Sequence, residues 1–200
     1  MSFAKILALI VVAITGSILF VGCAVWGQYN KVVALDESVD SSWAQVENQM
    51  QRRVDLMGNL VETVKGFANQ EKDIFLGVAK ARESYFQAKS PAQKASAANG
   101  ISSALSRLLV LRETYPELKS NESFLKLQDE IAGTENRLAV ERKRYNDAVE
   151  QLNGYIRRLG GRLVAAIAGV EKREYFKAGE SAKEVPKVDF STEPAPATDG

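Results

Sequence analysis

The side chains that could do chemistry in this chain are carboxylates at helical spacing. Glu130, Glu135, Glu141 and Glu150 fall in one long apolar-striped segment, and Glu47 and Glu62 in another. Two carboxyls about 5 to 10 Å apart can serve as general acid and base on a glycosidic bond. The remaining composition narrows the chemistry sharply. There is no histidine, and Cys23 is the only cysteine. A zinc site of Cys and His ligands, a Ser-His-Asp triad, a Cys-His pair and an internal disulfide are all excluded. Two-metal helical bundles use a Glu-x-x-His motif, which the absence of histidine also removes. No phosphate loop and no dinucleotide glycine fingerprint occur. No cofactor and no metal are therefore expected, and isolated acids of this kind are most simply solvated or ion-paired.

A second cluster is mixed in charge. Asn48, Gln51, Arg52, Arg53, Asp55 and Asn59 form a polar run within one apolar-striped segment. Such a run can be a recognition face. It can equally place Asn48 and Asn59 on the flanks of a core, hydrogen-bonded to neighbouring helices, with Arg52 and Arg53 paired to Glu135 or Glu141. Satisfied buried polar groups of that kind fix the register of a bundle. Overall charge is balanced, with 26 Lys and Arg against 25 Asp and Glu, so nothing draws the chain to nucleic acid.

The elements that would position these groups are helices. Only Pro91 and Pro116 interrupt residues 1–185. Val32, Leu35, Val39, Trp43, Val46, Met50, Val54, Met57, Val61 and Val64 follow at steps of three or four, which predicts one rod ending at about residues 66–70. A second helix is predicted over about 71–89. A third starts at Ser90-Pro91, a cap followed by proline at the first helical position, and ends at Tyr115-Pro116. The fourth, capped at Ser120-Asn121, carries Phe124, Leu127, Ile131, Thr134, Leu138, Glu141, Tyr145, Ala148, Leu152, Tyr155 and Leu159 in a heptad pattern. That stripe suits the core face of a bundle helix, or an intermolecular coiled coil. Gly160-Gly161 should close it. Trp43, Phe124, Tyr145 and Tyr155 are the candidate core anchors, with the Tyr145 and Tyr155 hydroxyls and Asn146 reaching polar partners.

Before all of this, residues 6–26 (ILALIVVAITGSILFVGCAVW) are almost wholly apolar, and no charge occurs from residue 6 to residue 30. Twenty-one residues of helix span about 31 Å, the hydrocarbon thickness of a bilayer. The segment reads as a transmembrane helix with Trp26 and Tyr29 at the interface. The other reading is a signal peptide ending in a lipobox-like Phe20-Val21-Gly22-Cys23, with Cys23 lipidated. Lys5 against Lys31 weakly favours a non-cytoplasmic C-terminal domain.

Residues 41–67 (SSWAQVENQMQRRVDLMGNLVETVKGF) and 115–149 (YPELKSNESFLKLQDEIAGTENRLAVERKRYNDAV) resemble the two signature blocks of the LemA family of bacterial membrane proteins. The Tyr-Phe pair at 175–176 and PKVDF at 186–190 fit it too. The resemblance implies a short N-terminal anchor and an antiparallel four-helix bundle, in a family that is no enzyme class with known catalytic residues. Met57-Gly58 departs from the family's usual aliphatic-proline pair, and Gly160-Gly161 from its usual turn.

The expected fold is all-α: a transmembrane helix continuing into an antiparallel four-helix bundle of long helices, with a C-terminal tail. Residues 1–27 form the anchor and 28–160 the bundle. Residues 161–190 are a segment that docks on the bundle or the membrane, and 191–200 a disordered tail. The stretch 162–170 could lie on the bilayer or contact another subunit. The expected function is a non-enzymatic scaffold of the bacterial envelope that assembles with itself or holds a membrane-protein partner. A lipidated sensor-type domain is the second reading, and a carboxylate hydrolase the third.

Overall fold

The computed structural model describes residues 3–176, without the side chains of residues 3–10, Ile18, Val21 and Ala24. The island at 185–190 and the tail at 191–200 lie outside the described residues. All regular structure among the described residues is helical: α1 Phe3–Lys65, α2 Lys72–Gln87, α3 Pro91–Thr114, a 3₁₀ turn Pro116–Ser120, α4 Glu122–Ile156 and α5 Leu159–Ala168. Among the described residues no helix is long and apolar enough to cross a membrane. Part of the expected span at 6–26 lies outside the described side chains.

Helix α1 is 63 residues, about 94 Å at the usual rise. It runs unbroken through Gly58, and the Arg82 guanidinium lies 3.2 Å from where a Gly58 Cβ would stand. Glycine here makes room for a neighbouring side chain. From Val32 on, α1 buries Val39, Val46, Met50, Val54, Met57, Leu60 and Val64. Fully burying such a side chain is worth about 1.5–3 kcal/mol before entropy is counted.

The chain then folds up, down, up, down. At Ser90 a capping box starts α3: the hydroxyl accepts from Gln93 N–H at 3.2 Å, and the Gln93 side chain accepts from Ser90 N–H. Pro116 ends it, since Tyr115 takes an extended conformation. Asn121 caps α4 by accepting from Phe124 N–H at 2.9 Å. Helix α4 runs antiparallel to α1, because Gln28 meets Tyr155 while Arg53 meets Glu135. Helix α3 runs parallel to α1, with Lys94 paired to Glu47 and Tyr115 bonded to Glu71 beyond the α1 end.

The four helices are complete only in the upper half, around residues 46–65 of α1. Below that, α1 and α4 continue as a pair whose open side is closed by α5 and by the extended segment 170–176.

Gly160-Gly161 does not close α4. The helix ends at Ile156, two turn residues follow, and both glycines lie inside α5. The physical reason is proximity. A Cβ on Gly161 would stand 2.1 Å from the Tyr155 carbonyl oxygen, so only glycine lets α5 fold back onto the end of α4. Leu159, the expected last residue of the α4 stripe, consequently sits on α5 and is exposed. Gly169 then stops α5 in the left-handed region at φ 69°, with Val170 N–H reaching the Ala165 carbonyl at 2.9 Å.

Candidate functional site

The described polar groups converge in two places along the α1–α4 seam. The first is a charged layer in the upper half. Arg53 is buried and ion-pairs with Glu135, whose other oxygen lies 3.8 Å from Arg142. Burial, followed by the nearby positive charge of Arg142, lowers the Arg53 pKa to about 10. Burial also lowers that of Arg142. Arg52 faces outward and pairs loosely with Glu130 at 3.8 Å. Glu141 pairs with Arg144 on its own helix at 2.8 Å, not with Arg52 or Arg53. Asn48 and Asn59 are exposed, a correction to their expected place on the core flanks. The α1 stripe turns its residues 46, 50, 54, 57 and 61 inward, which leaves positions 48 and 59 on the outer surface.

The second convergence holds the C-terminal segment, and it is built from amides. Asn153 donates to the Arg173 carbonyl at 2.9 Å and accepts from Arg173 N–H at 3.0 Å. Seven residues earlier, Asn146 does the same with Phe176, at 3.0 and 2.8 Å. The spacings match: seven helical residues advance about 10.5 Å, and three extended residues about 10 Å. Each asparagine thus acts as a short strand edge for a backbone that has no sheet to join. Between them, the Tyr145 hydroxyl donates to the Glu174 carbonyl at 2.8 Å. Burial raises the Tyr145 pKa, with Arg173 opposing and Asp40 and Glu174 adding to the rise.

Arg173 fastens the same segment to α1, reaching Asp36 at 2.9 Å and Asp40 at 3.2 Å. Burial alone would lower its pKa, but the bond to Asp36 and the charges of Asp36 and Asp40 hold it above the ordinary value. Phe176 ends the clamp in an aromatic knot. Trp43 stacks edge-on with Tyr145 at 5.2 Å and lies 6.4 Å from Phe176, which the Arg142 guanidinium covers at 4.6 Å.

Of the candidate core anchors, Phe124, Tyr145 and Tyr155 are buried and Trp43 is half-buried. The Tyr155 hydroxyl meets the Gln28 side chain at 2.9 Å and its carbonyl at 3.1 Å, joining the α4 end to α1. Cys23 is exposed and free. Asn153, Arg173, Asp36 and Asp40 are the residues that sequence reasoning missed. A repeat of asparagine at positions 146 and 153, one heptad apart, was the available signal.

The carboxylates are dispersed over these pairs. Glu47 is held by Lys94, Glu62 by Lys65, Glu130 by Arg52 and Glu141 by Arg144, and Glu150 stands exposed. Among the described residues, no three His, Cys, Asp or Glu side chains are placed to hold a metal ion. What the site does physically is lock a C-terminal segment across two helices.

Residues 42–190, which contain the charged layer and all of the clamp except Asp36 and Asp40, match the profile of the LemA family. The chain belongs to the LemA family. Relatives extend the match beyond that range. The chain is 25% identical over 196 residues to magnetosome protein MamQ 1 and to MamQ 2 of Paramagnetospirillum magneticum strain AMB-1, covering 85% of this chain and 72% of each relative. To magnetosome protein MamQ of Magnetospirillum gryphiswaldense it is 25% identical over 175 residues, covering 74% of this chain and 64% of the relative. Asn146, Asn153, Arg173 and the aromatic knot of this LemA-family chain fall within the matched range, while Asp36 and Asp40 lie just before it.

Proposed function

We propose that this chain is a non-enzymatic scaffold anchored in a bacterial membrane, holding a helical bundle at a fixed height above the bilayer and assembling with itself or with a membrane-protein partner. One observation carries the reading. Helix α1 is continuous, yet its described side chains change character at Gln28. Below it the helix is bare, with Phe20 77% and Trp26 70% exposed; above it a core stripe begins at Val32. Bare apolar side chains on a helix with no protein neighbour among the described residues need another apolar medium, and the run at 6–26 has the length for one. A helix shared by anchor and bundle transmits position without a hinge. The likeness to relatives named as magnetosome proteins supports a role tied to a cellular structure and points to no reaction.

The test is the mass of the full-length protein in mild detergent, with cross-linking in cells beside it. A discrete assembly, or one recurrent cross-linked membrane partner, supports the scaffold. A monomer that cross-links to nothing overturns it. The second reading, a lipoprotein, draws on the exposed thiol of Cys23. Blocking lipoprotein signal processing should then raise the apparent mass, and an unshifted mass removes that reading.

A further inference from the structure

We infer that α5 is a membrane-surface foot: Leu159, Leu163 and Ile167 enter the interfacial layer of an anionic phospholipid bilayer while Arg157, Arg158 and Arg162 engage the lipid phosphates. The inference rests on the anchoring proposed above and adds a second, independent point of membrane contact.

The faces of α5 make the case. At about 100° per residue, Leu159, Leu163 and Ile167 share a sector of roughly 80°. Gly161, Val164, Ala165 and Ala168 occupy the opposite side and pack into the bundle, three of them buried. The outward sector is 84%, 65% and 70% exposed at its three large apolar positions. A ten-residue helix thus spends one face on the core and offers a second apolar face to nothing described.

Position says what covers it. Helix α5 starts three residues after Ile156, at the end of the bundle where Tyr155 holds Gln28. That is the level at which α1 turns apolar, marked by exposed Trp26 and by Tyr29, the residue types that sit at a membrane interface. An anchored bundle would bring this end, and no other, against the headgroups. The charges agree. Arg157, Arg158 and Arg162 are exposed, and among the described residues none makes an ion pair, whereas many arginines higher in the bundle do. Arg162 borders the apolar sector directly, so its guanidinium can lie at phosphate depth with Leu163 below it. A second copy of the chain fits less well. Three side chains on ten residues fall short of the roughly 800 Å² per partner that a stable interface buries, and three clustered arginines would face their own images across a twofold contact.

The full-length protein, reconstituted in vesicles of three parts phosphatidylcholine to one part phosphatidylglycerol, would carry a benzophenone-bearing residue at Leu163, at Val12 in the apolar run, or at Val140 in the upper half. Mass spectrometry after illumination reads the partner. Phospholipid adducts at Leu163 and Val12 but not at Val140 are expected, with phosphatidylglycerol enriched at least twofold at Leu163 over its bulk share. In the R157Q, R158Q, R162Q variant that enrichment should return to the bulk share. Adducts at Val12 alone overturn the foot and leave the anchor; adducts at Leu163 alone support the foot and overturn the anchor; adducts at neither overturn both. A cross-link from Leu163 to a second copy overturns the foot in favour of a dimer contact. Unchanged enrichment in the triple variant overturns the role given to the arginines.

Discussion

The two halves of the bundle solve the same packing problem by different means. In the upper half, four helices bury Phe124, Leu138, Leu60, Met57, Ile101 and Leu108 against one another, and their backbones need nothing further because each helix satisfies its own. In the lower half only α1 and α4 run on. The third side is closed by α5 and by an extended segment whose N–H and C=O groups have no ladder. Asparagines 146 and 153 supply the ladder instead. An apolar core tolerates small shifts in any direction. An amide clamp works at a single register, so the lower half is the more specified and the less redundant of the two.

Truncating the upper core should have the largest effect. Phe124 is fully buried at the top of α4, and Phe124→Ala should cost about 3–5 kcal/mol in urea unfolding. Because α1 and α4 traverse both halves, the loss should appear as one transition at lower denaturant. Two separated transitions would show that the halves are independent folding units and break the comparison.

Next comes the charged layer. In Glu135→Gln, Arg53 keeps its buried charge with Arg142 nearby and no carboxylate partner. Breaking a buried pair costs about 3–5 kcal/mol, but Glu135 is 44% exposed and water screens it, so about 1–3 kcal/mol is expected. Arg53→Met should cost less than Glu135→Gln, since it removes the charge that needs a partner. The reverse order would mean that the arginine stem, not its charge, holds the layer.

The clamp should respond locally. Asn153→Ala leaves one N–H and one C=O of Arg173 without their partner, for about 1–2 kcal/mol where water can partly replace it. Hydrogen exchange should quicken at residues 173–176 while α2 and α3 stay as protected as before. Asn153→Asp keeps the acceptor and loses the donor, so its effect should be intermediate. An equal rise in exchange across the whole bundle would deny that the lower half opens by itself.

How much of this was readable in advance differs between the halves in the same way. The upper half follows from periodicity: Val46 to Val64, Ile101 to Leu108 and Phe124 to Leu138 repeat at helical spacing, and Ser90-Pro91 and Asn121 announce their caps. Thr134, a polar residue in the stripe, is buried and donates to the Ile131 carbonyl one turn back at 2.7 Å. The lower half was opaque because its determinants are single residues without a period. Gly161 reads as a helix stop and is a close approach instead. Asn153 and Arg173 are ordinary polar letters until α4 and the C-terminal segment are set side by side. Asn48 and Asn59 erred the other way, since a polar run gives composition without facing.

The smallest effect probes the meeting point of the halves. Tyr85 lies buried on α2 beside Trp43, Lys94 and Phe176, where the α2–α3 hairpin meets the end of the clamp. Burial first, then the charges of Glu47 and Asp55, push its pKa up to about 12 from 10. A folded-state pKa above the unfolded one gives stability that is fully present below pH 10 and lost as pH rises toward 12. At pH 10.5 the loss should be under about 1 kcal/mol, because the unfolded chain's phenol is then about three-quarters ionised but only half a unit of the gap between the two pKa values has been crossed. Urea midpoints measured at pH 9 and pH 10.5 should therefore fall further in the native protein than in Tyr85→Phe, which has no proton to lose. Equal falls would mean that water reaches the Tyr85 hydroxyl and that the junction between the halves is open rather than sealed by Phe176.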